Sequence, residues 1–181
     1  MEIIDNYLDQ KEFNEIQDVM MGPAFEWFYS PAIDDEKELQ QDTGKFQFTH
    51  MFHFDFGPQS PHCKILRPIL ETNLPVAIWR IKANLLTKTP EIVENEFHVD
   101  IGDLPDYKLK HWTTSILYIN TNNGYTKFED GTIVESVANR MVTFPSNLKH
   151  TGTSCTDEKV RIVLNFDFFA NDFTANQTGQ K

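Results

Sequence analysis

Two periodicities divide the chain. Between residues 9 and 21 the apolar positions Phe13, Ile16, Val19 and Met20 recur at steps of three and four, the spacing that puts them on one face of a helix. Asp9 stands where an N-cap is expected and Gly22-Pro23 where the helix must stop, because proline cannot continue it. From about residue 76 the period falls to two, in short runs bounded by Asn, Gly, Asp and Pro, as in antiparallel strands with one buried face. The expected strands are Val76–Leu86, Glu96–Ile101, Trp112–Asn120, Thr126–Phe128, Thr132–Val137, Arg140–Phe144 and Lys159–Phe168. Asn123-Gly124 and Asp130-Gly131 supply turn dipeptides between them. Many short strands after an early helix predict a mainly-β fold, a sandwich or jelly roll with N-terminal helical support.

The remaining stretches carry weaker signals. Asp34 to Thr43 is charged and Gln-rich and reads as an exposed loop or short solvated helix. Pro58, Pro61, Pro68 and Pro75 punctuate the next region, where Ile65 to Leu70 adds a helical turn. The polar tail from Ala170 is expected to be loose. With 181 residues, 40% of them hydrophobic and 15 of them Phe, the chain suffices for a single packed domain. Its expected parts are N-terminal support over 1–75, a jelly-roll core over about 76–168 and a tail over 170–181.

Charge then narrows the partners. A formal net charge of −11, from 27 acidic against 16 basic residues, repels polyphosphate at long range, so nucleic acid is not expected. Lys108 and Lys110 form only a solvated surface pair. Cys63 and Cys155 lack a C-x-x-C arrangement and read as free thiols. The chain shows no basic-then-apolar leader pattern and no apolar run near the about 18 residues a membrane span requires, so a cytoplasmic location without a membrane is expected. Nothing in it indicates an oligomeric state.

The candidate chemistry lies in Glu96-Phe97-His98-Val99-Asp100-Ile101. Read as a strand, it places Phe97, Val99 and Ile101 on one face and His98 and Asp100 together on the other. An imidazole nitrogen and a carboxylate two residues apart can occupy neighbouring corners of one octahedral metal. His150, 52 positions after His98 and just beyond a Pro145-Ser146-Asn147 turn, supplies a third ligand. Two histidines and one carboxylate on one face leave three positions open for cosubstrate and dioxygen. A rival H-x-D exists in Phe52-His53-Phe54-Asp55-Phe56, read as an amphipathic strand with its phenylalanines inward. His50, His62 and His111 read as surface or packing residues.

Eleven residues beyond His150, Arg161 sits in the apolar run Lys159 to Phe166, and the strands carrying His150 and Arg161 are expected to lie side by side. An arginine turned into a β-rich core is costly unless it meets an anion. A bound carboxylate, held bidentately, would meet that need.

This order of segments resembles the iron(II)- and 2-oxoglutarate-dependent dioxygenases, specifically the prolyl-hydroxylase-like branch. The correspondence runs through Trp79–Leu86, His98-Val99-Asp100, Thr114 to Asn120, Gly124-Tyr125-Thr126-Lys127-Phe128, Val142 to Pro145, His150 and Arg161. The resemblance spans about residues 76 to 168 and implies a double-stranded β-helix, a jelly roll with iron in its open mouth. It implies Fe(II) on His98, Asp100 and His150, with 2-oxoglutarate and O2 as cosubstrates and Arg161 holding the distal carboxylate. Asn165, on the same strand face, stands where some relatives support that carboxylate with a hydroxyl, and Thr114 and Asn84 are further pocket candidates. Two departures stand out. Relatives often carry Gly-Gly where this chain has Gly124-Tyr125, and the tyrosine common on the strand before H-x-D has no equivalent near Leu85. The implied activity is hydroxylation of a protein side chain or small molecule, with succinate and CO2 released. The alternatives are a non-catalytic jelly-roll binding or structural protein and a cupin-like metal enzyme that does not use 2-oxoglutarate.

Overall fold

The computed structural model describes residues 1–33, 44–102 and 104–170. The charged 34–43 stretch and the tail beyond Ala170 lie outside the described residues. Helix α1 spans Gln10–Met20, with the Asp9 carboxylate accepting from Lys11 N at 2.9 Å, a cap worth about 1 kcal/mol. Its face of Phe13, Ile16 and Met20 is fully buried. The helix ends at Gly22, where a Cβ would lie 2.7 Å from the Asp18 carbonyl oxygen.

Eleven strands occur among the described residues: β1 Glu2–Ile4, β2 Phe28–Ser30, β3 Gln47–Phe54, β4 Gly57–Pro58, β5 Ala77–Thr87, β6 Thr113–Tyr118, β7 Tyr125–Phe128, β8 Ile133–Glu135, β9 Met141–Pro145, β10 His150–Gly152 and β11 Val160–Phe169. A 3-10 helix at Pro61–Leu66 leads into α2, Arg67–Asn73, and a short α3 covers Asp106–Leu109. The major antiparallel sheet has the order β1-β9-β6-β11-β5-β3-β2, with β4 attached to β3, and a smaller sheet has the order β10-β7-β8. This is the expected jelly roll.

The major sheet separates two interiors, and strand alternation decides which residue enters which. On β11, Ile162, Leu164, Phe166 and Phe168 face α1 and join Ile81, Ala83 and Leu117 in the larger core. Val163 joins Ile116, Tyr118, Phe128, Val142 and Phe144 between the sheets. Arg161, Asn165 and Asp167 share the parity of Val163, so β11 turns three polar side chains into the space between the sheets.

Three expectations are corrected. Residues 96–101 form no regular strand: the segment and its approach are fastened by isolated bridges, His98 to His150 within it and Glu94 to Thr153 just before it, and Phe97 is 38% exposed. The N-terminal third is not helical support alone, since β3 pairs with β5 through a bulge after Met51 and β1 pairs with β9. The strands of His150 and Arg161 are not adjacent. β10 pairs with β7 in the smaller sheet, whereas β11 lies between β5 and β6 in the larger, so the two residues approach across the sheets. The strands near the other expected positions differ only at their ends.

Candidate metal centre and cosubstrate pocket

His98 and His150 are opposed in the bridge, each N–H donating to the other's carbonyl at 3.0 Å, with ring centroids 4.9 Å apart. His98 Nδ1 lies 3.1 Å from Glu96 O and His150 Nδ1 lies 3.3 Å from Leu148 O. A proton held at Nδ1 by a carbonyl leaves Nε2 as the ligand nitrogen. One donor atom each from His98, Asp100 and His150 lies within 4.8 Å of the others, and they form the only such group among the described residues.

Asp100 shows what that arrangement fits. Its Oδ1 accepts from Arg80 Nη2 at 2.5 Å. Its Oδ2 is buried, has no hydrogen bond among the described residues and lies 3.4 Å from His150 Nε2. An unsatisfied carboxylate oxygen is expensive in the interior, and a cation between Oδ2 and the two imidazoles would satisfy it. Burial pushes the Asp100 carboxyl up, but Arg80 and His150 outweigh it and hold it well below the usual carboxylate range. Burial likewise disfavours the charged form of His150, yet Asp100 raises its pKa. The donor set of two nitrogens and one oxygen suits a divalent iron-type ion.

Arg161 is 3% exposed. Nε donates to Ser136 Oγ at 2.8 Å and Nη2 to Thr126 Oγ1 at 3.2 Å, while the guanidinium lies 5.7 Å from the Tyr118 ring centre. No carboxylate pairs with it among the described residues, and burial alone depresses its pKa. Glycines make room for it: a Cβ on Gly124 would sit 2.7 Å from Arg161 Cδ and 2.7 Å from Ser154 O. Tyr125, in the position where relatives often have a second glycine, instead turns its phenol outward to Glu94 Oε1 at 2.7 Å. Lys127 holds the same carboxylate, so β7 anchors the segment that leads to His98.

One cavity of about 160 Å³ touches His98, Asp100, His150 and Arg161, and Asn165 and Asn84 also line it. Both asparagines have a buried Oδ1 without a hydrogen-bond partner among the described residues. Thr114 does not line it; its hydroxyl donates to Asp167 Oδ1 at 3.0 Å and lies 2.9 Å from Ser146 Oγ. His53 and Asp55 are elsewhere, at the end of β3, where Asp55 takes the turn with φ of 48°. His50 is buried and satisfied by Glu26 O and Ser60 Oγ. Sequence reasoning missed Arg80 and Lys82, which line the cavity from β5, although its alternation places them on the face of Asn84.

The chain has structural counterparts of the same fold. A 2OG-Fe(II) oxygenase family oxidoreductase from Burkholderia pseudomallei superposes with a TM-score of 0.63 at 14% identity, over 93% of this chain and 85% of that one. A Trichoplax adhaerens prolyl hydroxylase, bound to a hypoxia inducible factor peptide fragment, gives 0.65 at 11% identity, over 99% and 87%. The viral collagen prolyl hydroxylase of Paramecium Bursaria Chlorella virus-1, in its 2OG complex, gives 0.56 at 14% identity, over 94% and 95%. The shared architecture is the oxygenase jelly roll. No family model matches the chain, and no curated protein matches it. None of its described helices is long and apolar enough to cross a membrane.

Proposed function

We propose that this chain is an Fe(II)- and 2-oxoglutarate-dependent oxygenase that hydroxylates a protein side chain or a small molecule. The observation that carries the reading is one cavity holding both a His-Asp-His set, half-buried at His98 and Asp100 and buried at His150, and a buried arginine with no carboxylate partner among the described residues. Either feature alone has a structural explanation; together they match the two ends of a 2-oxo diacid.

In this reading His98, Asp100 and His150 hold Fe(II), which supplies activation of dioxygen coupled to oxidative decarboxylation of 2-oxoglutarate to succinate and CO2. Arg161 takes the distal carboxylate, with Ser136 and Thr126 fixing the plane of its guanidinium so that both hydrogen bonds form without reorganisation. Asn84 and Asn165 offer amide groups along the cavity wall, and the two sheets keep water from the buried end. A cupin-like enzyme independent of 2-oxoglutarate leaves Arg161 without a task, and a purely structural jelly roll leaves Asp100 Oδ2 with only the 3.4 Å approach of His150 Nε2.

The test is succinate release from 2-oxoglutarate with Fe(II) and O2, across a panel of peptides, free amino acids and nucleobases. Fe(II)-dependent succinate formation, stimulated by one substrate class and absent in His98→Ala, is expected. No succinate from metal-loaded, folded protein, with or without the panel, would remove the proposal.

A further inference from the structure

Arg80 joins two carboxylates. From β5 its Nη2 donates to Asp100 Oδ1 at 2.5 Å and its Nε donates to Asp167 Oδ2 at 2.9 Å. Asp167 is wholly buried on β11 and does not line the cavity, so it touches neither a bound ligand nor the His-Asp-His set. Its other oxygen accepts from Thr114 on β6, and the Thr114 hydroxyl meets Ser146 Oγ. Ser146 belongs to the turn that leads to His150, and its N–H donates to Trp112 O. A continuous buried polar chain thus runs from the His150 turn through β6, β11 and β5 to Asp100.

Burying a carboxylate such as Asp167 is unfavourable unless it is paired, and an isolated guanidinium needs only one carboxylate. Two carboxylates on one fork fix the fork's orientation as well as its charge, because the planar donors bond in set directions. Asp167 balances the charge of Arg80, which leaves the charge of Asp100 for a dication.

We propose that Arg80, held by Asp167, is a positioning residue that pins Asp100 Oδ1, so that Asp100 presents only Oδ2 to a metal shared with His98 and His150. This rests on the reading of those three residues as the iron site. Two physical effects of removing Arg80 have opposite signs. Loss of a nearby cation would tighten binding of a dication, whereas loss of an outer partner that orients a ligand weakens binding by about 10- to 100-fold. Positioning requires the second to win.

The experiment is anaerobic Co(II) titration of the full chain, followed by the visible absorption of the bound ion, for wild type, Arg80→Gln, Arg80→Lys and Asp167→Asn, with circular dichroism for fold. Arg80→Gln is expected to weaken Co(II) binding about 10- to 100-fold and to change the absorption spectrum as Asp100 Oδ1 is released. Asp167→Asn, which touches neither Asp100 nor the cavity, is expected to shift affinity in the same direction by a smaller factor. Arg80→Lys keeps the charge but cannot hold both carboxylates, so it stays weakened. Unchanged or tighter binding with an unchanged spectrum in folded Arg80→Gln overturns the proposal, as does full recovery in Arg80→Lys. Should Arg80→Gln not fold, wild-type affinity in both other variants overturns it. Wild type that binds no Co(II) removes the metal-site reading and this proposal with it; normal wild-type binding with unaffected variants removes this proposal alone.

Discussion

His98 and His150 are locked backbone to backbone, each N–H on the other's carbonyl at 3.0 Å. Two imidazoles from distant segments are thereby held close enough that sharing an ion would need only side-chain adjustment, and Asp100 follows His98 by two residues. Preorganisation of this kind lowers the conformational cost of binding. In the triad reading, His98→Ala is expected to lower Fe(II) or Co(II) affinity by more than about 100-fold, beyond the usual effect of losing a supporting group. His53→Ala should keep metal, as its ring lies outside the cavity. Equal loss in both folded variants, read by metal analysis after dialysis, would assign the site to the wrong histidine.

Arg161→Leu removes the buried cation while keeping an apolar side chain against Tyr118. Truncating one partner of a buried charge pair costs about 2–5 kcal/mol, so 2-oxoglutarate affinity should fall about 30-fold or more with metal affinity retained. Isothermal titration with 2-oxoglutarate against the metal-loaded variant checks this. Undiminished affinity would take Arg161 out of the site.

Gly124→Ala tests how tightly the arginine is seated. The new Cβ would meet both Arg161 Cδ and the Ser154 carbonyl oxygen at 2.7 Å, and a backbone atom cannot yield cheaply. A loss of about 1–3 kcal/mol in stability is expected, with weaker 2-oxoglutarate binding and retained metal. Tyr125→Phe loses only the bond to Glu94, about 1 kcal/mol, and should leave cosubstrate affinity alone. If the two variants bind 2-oxoglutarate alike, Gly124 has no part in seating Arg161.

The pH dependence of metal binding follows from His150, whose folded-state pKa lies above the ordinary 6.5 because Asp100 outweighs its burial. A raised histidine pKa stabilises the apoprotein fully below 6.5 and loses that contribution as pH rises through the folded value. Metal binding needs the neutral imidazole. The melting-temperature increase on adding metal should therefore grow as pH rises from below 6.5 through this window. An increase that shrinks over that range would contradict the assignment of His150 as a ligand.

Much of this was legible locally. Asp9 and the spacing of Phe13, Ile16 and Met20 place α1, and alternation within β11 already turns Arg161 and Asn165 to one side. Residue types and their order single out His98, Asp100 and His150, which the structure brings together, although residues 96–101 form no regular strand: one bridge, His98 to His150, stands in place of a ladder. What escaped is nonlocal. Arg80 meets Asp100 and Asp167 at separations of 20 and 87 residues, which no local pattern encodes. Thr114 has the parity of the inter-sheet residues Ile116 and Tyr118, but Asp167 opposite it in the register takes its hydroxyl. The membership of β3 in the major sheet was hidden because its pairing with β5 crosses a bulge.

The most direct test of the account is stepwise anaerobic equilibrium binding, Fe(II) first and 2-oxoglutarate second, on the same 181-residue chain. One Fe(II) and one 2-oxoglutarate per chain are expected, with diacid binding dependent on metal, both lost in His98→Ala, and only the diacid lost in Arg161→Leu. Folded wild-type protein that takes up no stoichiometric Fe(II), or binds 2-oxoglutarate equally well with and without it, would contradict a cavity built to span iron and Arg161.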